Sequence, residues 1–298
     1  MSLDLDKRQR AMLREMGVRV WQPLPTPAAQ AQAQAQAQAD TALAINSIAF
    51  SARPERAAAQ FDAEIPAAPP LRATPAAPLA RPQGVELMDW PALQAAVASC
   101  RACALCESRT RTVFGVGPVA AGAAAPPVDW LIVGEAPGEN EDLAGEPFVG
   151  QAGKLLGNML LAMGLQRSQD DAPPQAGLAR SVFITNVLKC RPPANRNPEP
   201  AEMSQCQPYL QRQVELLQPK MILALGKFAA QTLLQDSVPD VQKIPLGKLR
   251  GQVFRYLGVP VVVSYHPAYL LRSLGDKAKA WDDLCLALSV APTVVRSA

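Results

Sequence analysis

Histidine is nearly missing from this 298-residue chain, which holds a single one, His266. That leaves few ligands for a catalytic metal–water site and argues against a zinc-dependent nucleotide hydrolase. No apolar run approaches the roughly 18 residues of a membrane span. The first stretch, MSLDLDKRQRAMLREMGVRVW, is charged and lacks the apolar segment of a signal peptide, so the expected location is cytoplasmic. An excess of charge is missing too: the net charge is +3. From Glu86 onward 20 Lys+Arg face 19 Asp+Glu, a difference of +1. This is no bulk polycation, and any contact with nucleic acid has to come from a local patch. Lys189, Arg191, Arg196, Lys248, Arg250 and Arg272 are the candidates.

Bulky apolar side chains are scarce between residues 22 and 85, where PLPTPAAQAQAQAQAQAD leads into EIPAAPPLRATPAAPLARP. Such a segment buries too little surface to offset its ordering entropy and is expected to be a disordered linker. Ahead of it, residues 1–21 form a short peptide, with Lys7 to Met16 suited to an amphipathic helix. From residue 86 to 298 the text is globular. VDWLIV, SVFITNVLKC and KMILALG read as strands, and VFRYLGVPVVVSYHP as a fourth with room for a fifth. Helical patterns separate them: LMDWPALQAAVASC, QAGKLLGNMLLAMGL, EPAEMSQCQPYLQRQVELLQP, KFAAQTLL, PAYLLRSL and AKAWDDLCLALSVA. Strands alternating with helices predict a three-layer α/β/α fold on a mainly parallel sheet. PVAAGAAAPPV and QRSQDDAPPQAGLAR read as surface loops.

Six cysteines are present, unusually clustered for an intracellular chain, which points to metal rather than disulfides. Cys100 and Cys103 form a C-x2-C pair, Cys190 ends the second strand, and Cys206 lies on the next helix. Four thiolates from separate segments suit zinc or an iron–sulfur cluster. Cys106 extends the pair to a ferredoxin-like C-x2-C-x2-C, so spacing alone leaves open which four bind. Cys285 falls on the apolar stripe of the last helix and reads as core. The glycine- and acid-rich loop GEAPGENEDLAGEPFVG follows the first strand. Its glycines permit close approach to a ligand. Its acids could hold metal, activate water or solvate an exposed rim, and Glu139, Glu141, Asp142 and Glu146 are read as partly rim solvation.

Taken in order, GEAPGENEDLAGEPFVGQAGKLL, ITNVLKCRPPANRNP, Cys206 and HPAYLLR resemble the iron–sulfur (family 4) uracil-DNA glycosylases over residues 92–290. The resemblance implies a four-stranded parallel sheet and a [4Fe–4S] cluster on Cys100, Cys103, Cys190 and Cys206, with zinc as runner-up. It implies uracil excision from DNA, with Phe148 as the stacking aromatic, Asn186 as the reader of the base edge and His266 as the donor to the leaving base. Gly134, Ala136 and Gly138 offer backbone N–H groups to the base or phosphate. The water-activating aspartate of better-known uracil glycosylases aligns with Ala136, which leaves Glu135 as the nearest carboxylate. The loop RPPANRNPEP has no histidine, so covalent self-trapping on DNA is not expected. Arg272 and the KLRG turn at 248–251 are expected on DNA phosphates, with Arg191 and Arg196. The chain is expected to act as a monomer. Residues 1–21 faintly resemble the N-terminal peptide of the psi subunit of bacterial DNA polymerase III, which suggests a replisome or clamp-loader partner. The competing reading is a non-catalytic iron–sulfur DNA-binding protein on the same fold.

Overall fold

The strands of this protein are apolar at nearly every position because both faces of the sheet are covered. A computed structural model of the chain describes residues 81–118, 128–167 and 181–291. Residues 1–80, with the peptide and most of the linker expected there, lie outside the described residues, as do most of the two surface-loop segments. One sheet contains β1 (Trp130–Gly134), β2 (Val182–Asn186), β3 (Met221–Leu225), β4 (Val253–Tyr256) and β5 (Val259–Ser264) in the order β2-β1-β3-β5-β4. Four of these strands run parallel, and β4 pairs antiparallel with β5. VFRYLGVPVVVSYHP thus supplies both the fourth strand and the fifth for which it left room, one more than the four-stranded sheet that the resemblance implies. The extra strand follows from a tight turn: Leu257 and Gly258 both hold positive φ (47° and 82°), which folds VFRY back onto VPVVVS.

The helices are α1 (Trp90–Ala98), α2 (Leu105–Ser108), α3 (Glu139–Ala144), α4 (Gln151–Ala162), α5 (Pro200–Leu217), α6 (Lys227–Leu234), α7 (Leu246–Leu249), α8 (Pro267–Arg272) and α9 (Lys277–Val290). Successive strand side chains point to opposite faces. Leu131, Val133, Ile222, Ala224, Val261 and Val263 pack under α5 and α6. Trp130, Ile132, Leu223, Leu225 and Val262 pack under α4 and α9. Cys285 does not join that second core. It is exposed, because α9 buries Ala280, Leu284 and Ala287 instead, and the reading of Cys285 as core is corrected.

Helix starts are specified locally. Asp89 caps α1 by accepting from the Ala92 N–H (2.9 Å), with Pro91 in the first turn. At α5, Pro200 takes the first position and Glu202 reaches back to the Glu199 N–H (2.9 Å).

The acids of the loop after β1 are corrected from rim solvation to structure at two positions. Asp142 is buried and accepts from the Thr110 N–H with both oxygens (2.9 and 3.0 Å) and from the Arg111 N–H (3.3 Å). Glu141 accepts from the N–H groups of Gly138, Val149 and Gly150 (3.1, 2.9 and 3.1 Å) and so closes the loop on itself. Replacing Asp142 by Ala removes the acceptor that ties down the Thr110 and Arg111 main-chain donors, and hydrogen bonds to a charged group are worth about 1.5–3 kcal/mol. We expect a lower denaturation midpoint with unchanged slope in chemical unfolding, and an unchanged midpoint would show that water satisfies those donors.

Candidate active site

Open parallel sheets bind ligands beyond the carboxyl ends of their strands, where the connections part to opposite sides. Here the chain leaves β1 for β2 on one flank and returns to β3 on the other. A cleft of about 690 Å³ opens at that edge. The segments after β1, β2, β3 and β5 bring Glu135, Asn186, Gly226 and His266 to it.

Gly134 decides how tightly these parts meet. A Cβ there would lie 2.3 Å from Asn186 Oδ1 and 2.6 Å from the Phe148 ring, so only glycine allows both side chains their places. Phe148 sits at φ 57°, a left-handed conformation unfavourable for a bulky residue. Its surroundings hold it there. Arg167 donates to the carbonyls of Pro147 and Phe148, and Gly153 opens α4 against the Phe148 backbone, where a Cβ would come within 1.7 Å of the carbonyl oxygen. The Phe148 ring stacks beside His266, with centroids 5.4 Å apart and planes 28° from parallel.

Asn186 is buried, yet its Oδ1 has no hydrogen-bond partner among the described residues. A buried acceptor left unpaired costs about 1–3 kcal/mol, so the amide is set up for a donor that the described residues do not supply. His266 caps α8, its Nδ1 accepting from the Ala268 N–H at 3.2 Å. With Nδ1 used as acceptor, the neutral ring carries its proton on Nε2. Burial, assisted by the Arg272 charge, lowers its pKa to about 4, so the neutral donor form is the working one. Burial acts oppositely on Glu135, whose pKa rises to about 7. Ala136 and Gly138 line the same cleft.

The predicted basic patch divides. Arg272 and Arg196 line the cleft, joined by Lys227, which the sequence reading passed over. Arg272 and Lys227 make no ion pair among the described residues, whereas Arg196 forks onto Glu202. Arg191 bonds Asn195 (2.8 Å) and pairs with Glu139 (3.6 Å). Arg250 is committed elsewhere. It pairs with the buried Asp283 (2.7 Å), lies 4.3 Å over the Tyr265 ring and does not line the cleft. Lys189 is 1% exposed and cannot reach a phosphate, which corrects its place among the candidates. Tyr265 and Tyr269, also passed over, stack on each other at the cleft wall.

A second, smaller cavity lies between α1, α2, the segment after β2, and α5. Cys100, Cys103, Cys106, Cys190 and Cys206 all line it. Arg109 donates to Cys190 Sγ at 3.0 Å. Burial pushes the Cys190 thiol up to about 11 and Cys206 to about 12, so a metal entering here displaces protons. No group of three or more His, Cys, Asp or Glu among the described residues is arranged to hold a single ion. The five thiols that line this cavity are soft donors of the kind that zinc or an iron–sulfur cluster takes.

Known proteins share much of this chain. The family model described as the uracil DNA glycosylase superfamily matches residues 121–285, more than half of the chain. A type-4 uracil-DNA glycosylase of Archaeoglobus fulgidus is 42% identical over 179 residues, 59% of this chain and 79% of that protein. One from Pyrobaculum aerophilum is 38% identical over 203 residues, covering 67% of this chain and 93% of its own length. One from Thermotoga maritima is 37% identical over 184 residues, or 61% and 83%.

The Glu135 shift has a consequence for stability. Its pKa is raised from 4.5 to about 7 in the fold, so stability is full below pH 4.5 and is lost as pH rises through about 7. Glu135→Gln removes that loss. The variant should melt a few degrees above the parent at pH 8, with the gap closing near pH 5. Equal melting temperatures at both pH values would place the carboxylate in water.

Proposed function

The chain belongs to the uracil DNA glycosylase superfamily, and from that premise we propose that it hydrolyses the N-glycosidic bond of uracil in DNA. The observation that carries the reading is the buried Asn186 Oδ1, which has no hydrogen-bond partner among the described residues, in a cleft shared with Phe148 and His266. An enzyme acting on a base in DNA must draw it out of the stack. The flipped uracil lies on the Phe148 ring, where stacking contributes on the order of 1–3 kcal/mol. The Asn186 amide accepts from uracil N3–H and donates to O4. Cytosine would oppose donor to donor and acceptor to acceptor at the same edge.

As the C1′–N1 bond breaks, its electron pair moves onto the base and negative charge gathers at O2. His266 Nε2–H donates to that oxygen as a neutral group, stabilising the charge as it forms. Water adds its oxygen to C1′, which carries developing positive charge, and Glu135 takes the water's proton. A pKa of about 7 suits a group that must accept a proton near neutral pH. Of the backbone groups expected at the base or its phosphate, Ala136 keeps that role, whereas the Gly138 N–H donates to Glu141 (3.1 Å) and Gly134, within β1, does not line the cleft. Arg272, Lys227 and Arg196 at the cleft, together with Arg191, meet the DNA backbone. The uracil-release assay separates this reading from a non-catalytic DNA-binding protein.

In the same reading Cys100, Cys103, Cys190 and Cys206 hold a [4Fe–4S] cluster. Bound there, it would crosslink the chain after α1, the segment after β2, and α5. Residues 1–21, outside the described residues, are proposed to dock on a replication protein.

Two measurements test the reading. Purified protein should release free uracil from a uracil-containing oligonucleotide. His266→Ala should slow release on the order of 100-fold with little change in DNA affinity. Asn186→Asp should lose uracil release and gain some action on cytosine. Unaltered uracil release in the Asn186 variant would remove that residue from base reading. Separately, the protein should be brown and contain iron and acid-labile sulfide. Cys100→Ala or Cys206→Ala should lose both together with solubility, while Cys106→Ala keeps them. An iron-free, fully active parent would sink the cluster assignment.

A further inference from the structure

Lys189 is a polar side chain that no step above uses, yet it is buried to 1% exposure on the wall of the cysteine-lined cavity. Its three N–H donors are matched by three oxygens: Thr185 Oγ1 at 2.6 Å, the Asn186 carbonyl at 2.7 Å and Gln213 Oε1 at 2.7 Å. The acceptors are themselves tied down. Thr185 Oγ1 donates to the Phe114 carbonyl (2.8 Å), and Gln213 Nε2 donates to the same oxygen (3.0 Å). The ammonium thus joins β2, α5 and the segment ahead of β1. No salt bridge to a carboxylate accompanies it among the described residues.

Stability alone does not account for such a group. A buried charge is a weak stabiliser, and a well-packed apolar side chain of similar volume commonly does as well or better. What a lysine provides that an apolar chain cannot is three directed donors. One of them grips the main chain of the residue whose side chain faces the cleft. Thr185 points to the α5 face, while Asn186 points to the opposite face beside Phe148 and Gly134. Lys189 therefore holds the Asn186 backbone from behind while the amide stays unencumbered in front. We infer that Lys189 is a positioning residue for the Asn186 amide, sharpening both the rate of base release and the rejection of cytosine. The inference rests on the reading that Asn186 contacts the base.

The test compares single variants with a double-mutant cycle in the full-length, cluster-loaded protein. Lys189→Met keeps the length and removes the donors. We expect uracil release at saturating DNA to fall at least tenfold, KM to change less than threefold, the uracil-to-cytosine rate ratio to fall, and iron content to match the parent. Thr185→Val, which keeps the lysine but removes one acceptor, should move the rate and the ratio the same way by less. In an Asn186→Ala background Lys189→Met should add little further loss, because the group it positions is gone. Full additivity in that cycle overturns the inference, as does loss of iron in step with activity, which would place the effect at the cysteines. If Lys189→Met does not fold, Thr185→Val decides: unchanged rate and ratio overturn the proposal. If Asn186→Ala itself leaves uracil release intact, the base-reading assignment has failed rather than the positioning.

Discussion

The side chain that Gly134 lacks is the condition on which the cleft depends. β1 and β2 run in register, with Gly134 opposite Asn186, so these two positions are forced together by the sheet's own hydrogen bonds. The Asn186 amide and the Phe148 ring both occupy the space a Cβ would claim. Everything downstream adapts to that packing. Phe148 takes up a left-handed backbone, Arg167 braces its carbonyl, Gly153 lets α4 begin against it, and Glu141 gathers three N–H groups to close the loop. The glycines and acids that fill this stretch are there for geometry before chemistry.

Burial is the second organising force, and its sign differs by residue. It raises Glu135 and lowers His266 because in both cases it disfavours the charged form. The result is a carboxyl poised near neutrality beside an imidazole that stays neutral. Burial alone raises Glu135, and for His266 it is the larger cause, with the Arg272 charge adding to it. His266 is further assigned its tautomer by the first turn of α8, where the Ala268 N–H takes up Nδ1. One local capping interaction thereby decides which ring nitrogen faces the ligand.

Much of this was legible in the sequence, and the limits are physical. Apolar runs revealed the parallel strands because a strand covered on both faces needs no alternation to be recognised. β4 was harder, since an edge strand with an exposed, mixed surface gives a weak signal. Phe148, Asn186 and His266 are nominated through the resemblance to the iron–sulfur uracil-DNA glycosylases and Glu135 as the nearest carboxylate, and the fold does bring them to one cleft. Lys227 and Tyr265 could not, because their presence depends on β3 and β5 lying side by side. Lys189 was misplaced for a similar reason. In VLKCRPP a lysine next to arginines looks like surface charge, and nothing local shows that its amine finds Gln213 on another element. Arg250 likewise reads as a phosphate contact until Asp283, far along the chain, is seen to hold it.

The division of charge across the cleft follows from these same burials and bears on how a polyanion is handled. Cations that make no ion pair among the described residues, Arg272 and Lys227, line the opening, while the imidazole of the inner wall is neutral. DNA phosphates are drawn to exposed charge through solvent, whereas a base entering the interior carries no net charge and meets directed hydrogen-bond groups. A fixed cation at the floor would bind the phosphodiester as readily as a departing base and so favour the ground state. A neutral donor interacts weakly with the carbonyl of the intact nucleotide and more strongly as that oxygen becomes anionic. In the proposed reading, electrostatic attraction at the rim and neutral hydrogen bonding within thus divide the work between holding DNA and breaking its bond.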